Sequence, residues 1–317
     1  MSETCVAVVG AGLIGRAWAI TFARAGHAVR LCDADSGASD HALESIAVLL
    51  EDLERSDLLQ GAAAATVRGR IASVANLGEA LDGAAHVQEC TPEQLALKQA
   101  IFAQLDSLAA SGTVVASSTS AILPSRFTEG LSGRARCLVV HPINPPYLVP
   151  AVEVVPAPWT DPAVVAATAD FMRASGQSPI VMKKEIDGFV MNRMQGALLQ
   201  EAFRLVADGY ASPEDVDIGL RDGLGLRWSF MGPFETIDLN APQGVRDYVT
   251  RYEGLYANLW PSQLRRVDWG GALVDCIEEE RSRQLGRDRL TERQRWRDRR
   301  LMALLRHKRQ ASQDIGD

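Results

Sequence analysis

Long apolar runs, paired cysteines and an excess of basic residues are all missing from this 317-residue sequence. No apolar run reaches the roughly 20 residues of a membrane-spanning helix, and no basic, apolar leader opens the chain, so we expect neither membrane insertion nor export. The five cysteines form no Cys-x-x-Cys pair, which argues against a disulfide framework or a zinc site and favours the cytoplasm. A net charge of −7 argues against nucleic acid as a partner.

Several catalytic signatures are absent as well. The sequence has no Gly-x-Ser-x-Gly, no His-Glu-x-x-His and no Walker A motif, so hydrolase and nucleotide triphosphatase chemistry have no starting point. What is present is the composition of an ordinary globular protein, 47% hydrophobic and 23% charged. A chain of this length is long for one domain, and we expect two.

The pattern of apolar residues changes near residue 187. Before it, short apolar runs alternate with helical patterns, which predicts an α/β Rossmann-type, doubly wound domain over residues 1–187. From residue 188 to 317 the pattern is almost entirely helical and predicts an all-α second domain. The predicted strands are 5–9, 28–33, 71–74, 86–90, 114–117, 137–140, 152–155 and 180–182. The main predicted helices of the first part are 13–25, 40–59, 62–70 and 92–110, the last with Thr91 as its N-cap.

Arginines dominate residues 293–309, around Trp296 and several leucines. A basic amphipathic helix can bind membranes, partner proteins or phosphates. Its apolar side also suits packing on the body of the protein or on a second subunit. We favour packing, because the acidic run 278–280 offers counter-charge nearby.

The segment Gly10-Ala11-Gly12-Leu13-Ile14-Gly15 joins the first predicted strand to the first predicted helix. Gly10 permits the tight turn, Gly12 lets backbone approach a pyrophosphate, and Gly15 lets helix and strand pack closely. The helix N-terminus offers unpaired N–H groups to the phosphates. Asp33 ends the next strand, where an adenine ribose would present its hydroxyls. A carboxylate there would repel a 2′-phosphate, so the site is predicted to bind NAD.

His141 is the best of five histidines for a catalytic role. It ends a predicted strand and enters a proline-rich segment that would hold the imidazole at the crevice. The other four, His27, His41, His86 and His307, are expected on the surface. Glu153 lies 12 residues later in an apolar run, where a carboxylate is costly unless paired. Either Glu153 pairs with His141, which would then act as the base with Glu153 as its partner, or Glu153 faces solvent on an edge strand.

Other polar groups near strand ends carry weaker signals. The hydroxyls of Ser117-Ser118-Thr119-Ser120 could bond a substrate oxygen, although such clusters are often only turn formers. Glu93 and Lys98 could line the cofactor crevice or be solvated charges on a helix. Asn192 could reach a substrate or be an ordinary helix residue.

Six ordered stretches of the sequence match known enzymes: the first four match one family, and the last two match one branch of it. They are Gln88-Glu89-Cys90-Thr91-Pro92-Glu93, Ser117-Ser118-Thr119-Ser120, His141-Pro142-Ile143-Asn144-Pro145-Pro146-Tyr147, Gly188-Phe189-Val190-Met191-Asn192-Arg193, Gly232-Pro233-Phe234-Glu235-Thr236 and Gln294-Arg295-Trp296-Arg297-Asp298. The chain therefore resembles the 3-hydroxyacyl-CoA dehydrogenase superfamily over nearly its whole length. Within it, the sequence is most similar to the L-gulonate 3-dehydrogenase (lambda-crystallin) branch.

The resemblance implies roles for single residues. His141 matches the catalytic base and Glu153 its partner, while Ser120 and Asn144 match positions that contact substrate or nicotinamide. Asn192 matches a residue that completes the substrate site. The positions that match cofactor contacts are Leu13, Ile14, Asp33, Glu93 and Lys98. The resemblance also implies a homodimer formed through the helical domain.

Two features favour a small free hydroxy acid over an acyl-CoA. The parent enzymes carry phenylalanines where this chain has Pro142 and Ile143. Residues 40–70, which match the CoA-binding hairpin, hold six acidic residues and three arginines, a poor cradle for a nucleotide phosphate. A free acid needs a cationic anchor, and we predict that Arg227 clamps the carboxylate; a surface arginine in a loop is the alternative.

The prediction is therefore oxidation of the 3-hydroxyl of L-gulonate or a similar acid by NAD, without a metal. A 3-hydroxyacyl-CoA substrate and a carnitine-type substrate, held by aromatic residues, remain alternatives. A non-catalytic, crystallin-like NAD-binding protein is the alternative of another class, although such a protein has no physical need for His141, Glu153 and Asn192.

Overall fold

A computed structural model describes residues 4–35 and 37–316 of the chain. They form two compact units, one of residues up to Val190 together with those from Arg297 onward, and one of residues Met191–Trp296. The predicted fold class, a Rossmann-type domain followed by a helical one, is confirmed. The last residues of the chain pack with the first unit, a return that the division into 1–187 and 188–317 did not include.

The first unit contains an eight-stranded sheet with the order β3-β2-β1-β4-β5-β6-β7-β8. Its strands are β1 (Cys5–Val9), β2 (Ala28–Cys32), β3 (Ile71–Ser73), β4 (His86–Glu89), β5 (Val114–Ser117), β6 (Cys137–Pro142), β7 (Ala151–Pro156) and β8 (Ser178–Val181). The strand order reverses between β1 and β4, and ligands of such sheets bind at the carboxyl ends of strands beside this point. Among the described strands, β6 and β7 are the one antiparallel pair of neighbours, because the connection between them is too short for a crossover.

Helices cover both faces of the sheet. They are α1 (Leu13–Arg24), α2 (Ala38–Arg55), α3 (Ala64–Arg68), α4 (Leu77–Leu81), α5 (Leu95–Leu108), α6 (Ser125–Thr128) and α7 (Pro162–Ala174). One apolar core includes Trp18 of α1 and Leu50 of α2, and the other includes Phe102 of α5. These two cores hold the strand ends of the unit rigidly in place.

One predicted helix start in this unit is wrong, and one long helix was not predicted. Helix α5 begins at Leu95 rather than at Pro92, because the Thr91 hydroxyl donates to Glu89 instead of capping a helix. Helix α7 was not predicted, although Asp161 caps it and Pro162 occupies its first turn, a recognisable helix start.

Two of the histidines expected on the surface, His27 and His86, are also buried. Their rings lie 5.1 Å and 4.9 Å from that of Phe171. Burial lowers the pKa of His86 to about 4, a hydrogen bond with Gln88 opposes this, and His27 lowers it further. His86 is therefore neutral at physiological pH and serves the core.

The second unit is helical. Its elements are α8 (Met191–Ala207), α9 (Pro213–Ile218), a π-helical turn (Gly219–Leu224), α10 (Gly225–Trp228), α11 (Pro233–Leu239), α12 (Val245–Gln263), α13 (Gly271–Gln284) and the beginning of α14 (Leu290–Ile315). Among the described residues, no helix is long and apolar enough to cross a membrane.

From Arg297 onward, the basic C-terminal helix packs within the first unit, which is one of the two packing arrangements that the sequence predicted. Met302 is buried, and Leu301 and Leu305 pack against the core that contains α1 and α2. Arg309 pairs with Asp57, just beyond α2. The apolar side of the helix is thus used for packing within the chain.

Candidate active site

The glycine turn between β1 and α1 has three different environments. Gly10 has a φ of 104°, which favours glycine, and a Cβ there would lie 2.7 Å from the carbonyl oxygen of Cys90. A Cβ on Gly15 would lie 1.8 Å from the carbonyl oxygen of Gly10. At Gly12, by contrast, a Cβ would meet nothing within 4 Å. The turn is therefore close-packed on both sides of an open cradle at Gly12.

A cleft of about 680 Å³ opens beside this cradle. Asp33 lines it at the end of β2, where its Oδ2 accepts from the amide of Ala11 at 2.6 Å and its Oδ1 from the amide of Asp35 at 3.0 Å. The other lining residues include Gly10, Gly12, Cys90, Thr91, Asn76 and Leu97. An open glycine, a helix N-terminus and a carboxylate at the strand-order reversal fit NAD.

Lys98 is buried, which rules out one of its two predicted environments, that of a solvated charge on a helix. Its side chain is only 1% exposed, and its ammonium donates to both carboxylate oxygens of Glu89, at 2.7 Å and 2.9 Å, and to the carbonyl of Thr91 at 3.0 Å. An ammonium has three hydrogens, and these three bonds use them. Lys98 therefore fixes the loop that walls the cleft, and is not a solvated charge.

Glu93 is exposed and lies in the loop before α5. Its carboxylate accepts from the Thr119 hydroxyl and from the amides of Ser120 and Ala121, the latter at 3.2 Å. Glu93 therefore links the loops that follow β4 and β5.

The four hydroxyls of residues 117–120, at the end of β5 and just beyond it, are distinguished by their partners. Ser117 donates to Glu89 at 2.6 Å, and Thr119 donates to Glu93. Ser118 Oγ accepts from Trp18 at 3.1 Å and from Gln88 at 2.7 Å. Ser120 is the exposed residue of the four, and hence the one that solvent or a ligand can reach.

His141 and Glu153 face each other across the β6–β7 pair. They are register partners, and Nδ1 of His141 lies 2.7 Å from Oε2 of Glu153, with the carboxylate fully buried. The other carboxylate oxygen accepts from the amide of Val190 at 2.6 Å. Of the two environments considered for Glu153, the structure shows the paired one.

The turn before α8 supports this pair. Phe189 has a φ of 48°, uncommon for a residue other than glycine, and its buried ring lies 5.7 Å from that of His141. The turn presents the amide of Val190 to Glu153. Neither Phe189 nor Val190 was assigned a role from the sequence, although the motif Gly188–Arg193 was recognised.

Three further predicted residues, Asn144, Asn192 and Arg227, differ in their exposure. Asn144, in the proline-rich segment after β6, has a buried Oδ1 with no hydrogen-bond partner among the described residues. Asn192 is half-buried near the start of α8 in the second unit. Arg227 is exposed and lies on α10, a short helix rather than the expected loop.

Two residues with clear structural roles were overlooked. Gln88 and Glu89 are both fully buried at the end of β4. The sequence could have revealed them, because two adjacent polar residues are unusual in a strand of a buried parallel sheet, which is otherwise apolar. Among residues 4–35 and 37–316, no three His, Cys, Asp or Glu side chains converge as a metal site would require.

Comparison with known proteins agrees with this geometry. The sequence model of the 3-hydroxyacyl-CoA dehydrogenase NAD-binding domain matches residues 5–186, and that of the family's C-terminal domain matches residues 188–270.

Individual relatives cover almost the whole chain. The lambda-crystallin of Oryctolagus cuniculus is 44% identical over 308 residues, 96% of each chain. An L-carnitine dehydrogenase of a Pseudomonas species is 34% identical over 300 residues, 94% of this chain and 92% of the relative. The crystal structure of 5-formyl-3-hydroxy-2-methylpyridine 4-carboxylic acid 5-dehydrogenase, an NAD+-dependent dismutase, aligns with a TM-score of 0.81 at 28% identity and covers 96% of this chain and 98% of its own.

Proposed function

Because the chain belongs to the 3-hydroxyacyl-CoA dehydrogenase family and is an NAD-dependent oxidoreductase that acts on CH–OH groups, we propose that it oxidises the 3-hydroxyl of a small free 3-hydroxy acid, L-gulonate or a similar compound, to the 3-oxo acid. The observation that carries the proposal is the buried hydrogen bond between His141 and Glu153 at the end of β6.

The hydrogen-bond pattern around Glu153 assigns the protons of His141. A carboxylate that accepts from the Val190 amide through one oxygen accepts the Nδ1 hydrogen of His141 through the other. Nε2 of the neutral ring then carries the lone pair, and this nitrogen takes the proton of the substrate hydroxyl. Glu153 holds the ring orientation and stabilises the imidazolium that results.

The chemistry that NAD would supply when bound is that of a hydride acceptor for the carbon that carries the hydroxyl. The residues that would hold it are the amides of Gly12, Leu13 and Ile14 at the pyrophosphate and Asp33 at the adenine ribose. Gly10 and Gly15 keep the turn close-packed. Glu93 belongs to the same site through its bonds to the loop after β5, and Lys98 contributes by fixing the loop that walls the cleft.

The substrate contacts that we propose come from four residues. Ser120 donates to the reacting oxygen, and Asn144 and Asn192 orient the substrate by hydrogen bonds. The exposed guanidinium of Arg227 clamps the carboxylate through two parallel bonds. Asn144 is supported by its buried amide oxygen, since a polar atom of this kind is usually satisfied by a ligand, a water or another group.

The charge of α2 and α3 supports a free acid over an acyl-CoA. Exposed carboxylates lie along α2, among them Asp40, Glu51 and Glu54. Negative charge on this hairpin disfavours the phosphates of coenzyme A. A carnitine-type substrate is the second candidate, favoured by the similarity to L-carnitine dehydrogenases and by exposed Phe230 and half-buried Trp228 near Arg227, which could face a trimethylammonium group.

A homodimer is part of the proposal. Helix α12 carries five large apolar side chains at helical spacing, and all five are exposed: Val245, Val249, Tyr252, Tyr256 and Leu259. An apolar stripe of this length on a helix surface is typical of a protein interface. We assign it to a second copy of the chain. We retain the cytoplasm as the compartment, because the five cysteines are free thiols.

The test is a substrate panel with matched variants. NADH formation is measured with L-gulonate, 3-hydroxybutyrate, L-carnitine and 3-hydroxybutyryl-CoA, for the wild type and for His141→Ala, with His41→Ala as the control because His41 is exposed. We expect the highest kcat/KM with L-gulonate or 3-hydroxybutyrate. We also expect His141→Ala to lower kcat by about 10²- to 10⁴-fold with NAD affinity retained.

Three outcomes would contradict the proposal. Undiminished turnover in His141→Ala would exclude this histidine as the base. A higher kcat/KM for the acyl-CoA or carnitine would replace the substrate class, and no turnover of any alcohol would favour the crystallin-like structural role.

A further inference from the structure

Gln88 is fully buried, and its side-chain carboxamide bonds to three groups of the protein. Its Nε2 donates to Ser118 Oγ at 2.7 Å and to the carbonyl of Val140 at 3.1 Å, and its Oε1 lies 3.0 Å from His86 Nε2. The two acceptors fix the orientation of the amide. His86 therefore donates its Nε2 hydrogen to Gln88.

Ser118 extends this arrangement to the cofactor helix. Its oxygen accepts from Gln88 and from the indole N–H of Trp18, so its own hydrogen points to Cys90 Sγ at 3.2 Å. Trp18 is buried on α1, the helix that starts at the glycine turn. One hydrogen-bonded cluster thus joins β4, the loop after β5, and α1.

The bond to Val140 brings the catalytic strand into the same cluster. Strand β5 ends at Ser117, which pairs with Val139, while β6 continues through His141 to Pro142. Gln88 binds the first β6 carbonyl beyond this last pair. The Val140 carbonyl belongs to the peptide bond that joins Val140 to His141. Its position therefore fixes the backbone of His141, from which the imidazole extends.

We propose that Gln88 is a positioning residue, which holds His141 and the Ser117–Ser120 segment in the geometry required for proton transfer. The proposal rests on the role of His141 as the base. Gln88 acts through Val140 and Ser118 and touches neither substrate nor cofactor. Its polarity in a sheet of apolar strands is explained by this role, since an apolar side chain of the same size would fill the space but bind no carbonyl.

The test compares Gln88→Met with His86→Phe. Methionine keeps the length of the side chain and removes both donors, whereas His86→Phe disturbs the same buried cluster and leaves the bonds to Val140 and Ser118 intact. For each variant one measures kcat, KM, the stoichiometry and affinity of NAD binding, the pH–rate profile, and the isotope effect with substrate deuterated at the reacting carbon.

We expect Gln88→Met to lower kcat by about tenfold to a hundredfold, as misplacement of a catalytic group does, with NAD binding retained. The isotope effect should rise and the acid limb of the pH–rate profile should move, because the chemical step becomes slower and the contact with Glu153 looser. His86→Phe should keep kcat within about threefold of the wild type and leave the isotope effect unchanged.

The proposal is overturned if Gln88→Met keeps the wild-type kcat. It is also overturned if kcat falls only in proportion to the stoichiometry of NAD binding, while the isotope effect and the pH–rate profile stay unchanged. That result would mean that part of the protein is unfolded and the rest is fully active. Should Gln88→Met fail to fold, Ser118→Ala replaces it, with a smaller change in the same direction expected. His141→Ala in the same assay separates the two proposals, because activity retained there refutes the function rather than the role of Gln88.

Discussion

The same added methyl group should weaken NAD binding at Gly12 and lower the stability of the fold at Gly15. At Gly12 a Cβ meets nothing within 4 Å, and the backbone, with a φ of −67°, already suits alanine. Reduced freedom of the unfolded chain stabilises Gly12→Ala by about 0.4–1 kcal/mol. Alanine is a poorer N-cap than glycine and offsets this gain, so stability should change by less than about 1 kcal/mol. The methyl group, however, occupies the cradle proposed for the pyrophosphate.

Gly15→Ala is the matched comparison. Its Cβ would lie 1.8 Å from the carbonyl oxygen of Gly10, and this atom belongs to the backbone and cannot rotate away. Overpacking that forces the backbone to move costs about 1–3 kcal/mol, occasionally more. Urea unfolding should therefore separate the two variants by a clear difference in midpoint.

NAD titration by calorimetry completes the comparison. We expect Gly12→Ala to bind NAD at least about tenfold more weakly, equivalent to about 1.4 kcal/mol, while it remains folded. Wild-type NAD affinity in Gly12→Ala would refute the placement of the pyrophosphate over this residue. A loss of stability as large as that of Gly15→Ala would refute the account of the open cradle.

Three further expectations concern other parts of the chain. The pKa of His86 is lowered to about 4 by burial, so the unfolded state binds more protons below the ordinary value of 6.5, and stability should fall as the pH drops. Between about pH 7.5 and pH 5 the free energy of unfolding, measured with urea, should fall by roughly 2 kcal/mol. The variant His86→Phe should show a weaker dependence of this free energy on pH, and an unchanged dependence would contradict a neutral, buried His86. Arg227→Ala should raise KM for the acid about tenfold or more and leave NAD affinity unchanged, and an unchanged KM would exclude the clamp. Tyr256→Glu, in the exposed stripe of α12, should shift the protein from dimer to monomer in analytical ultracentrifugation; a mass that does not change would place the interface elsewhere.

Local sequence signals predicted most of the first unit. The strand β1, the glycine turn and α1 follow from apolar runs and glycine spacing, which depend on neighbours close in the chain. The start of α5 was misplaced for a physical reason. Thr91 can cap a helix, yet its hydroxyl binds the buried carboxylate of Glu89, and a strong tertiary acceptor prevails over a local preference.

The burial of polar residues was the least predictable property. His27 and His86 have the sequence context of residues at element ends, but α1, β4 and α7 enclose them together with Phe171. Lys98 has the spacing of a helix-face charge and is nevertheless buried against Glu89. Whether a charge is solvated depends on which elements pack over it, and those contacts join residues far apart in the chain.

The amino-acid sequence by itself determined the cofactor turn, the alternation of strands and helices, and His141 as the best candidate for a base, because each depends on short-range pattern. The partner of that base was left between two environments. Only the antiparallel register of β6 and β7 places Glu153 opposite His141, and only the turn at Phe189 brings the Val190 amide to the same carboxylate. Strand register is set by the packing of the whole sheet, so His141, Glu153 and the Val190 amide come into contact only in the folded unit.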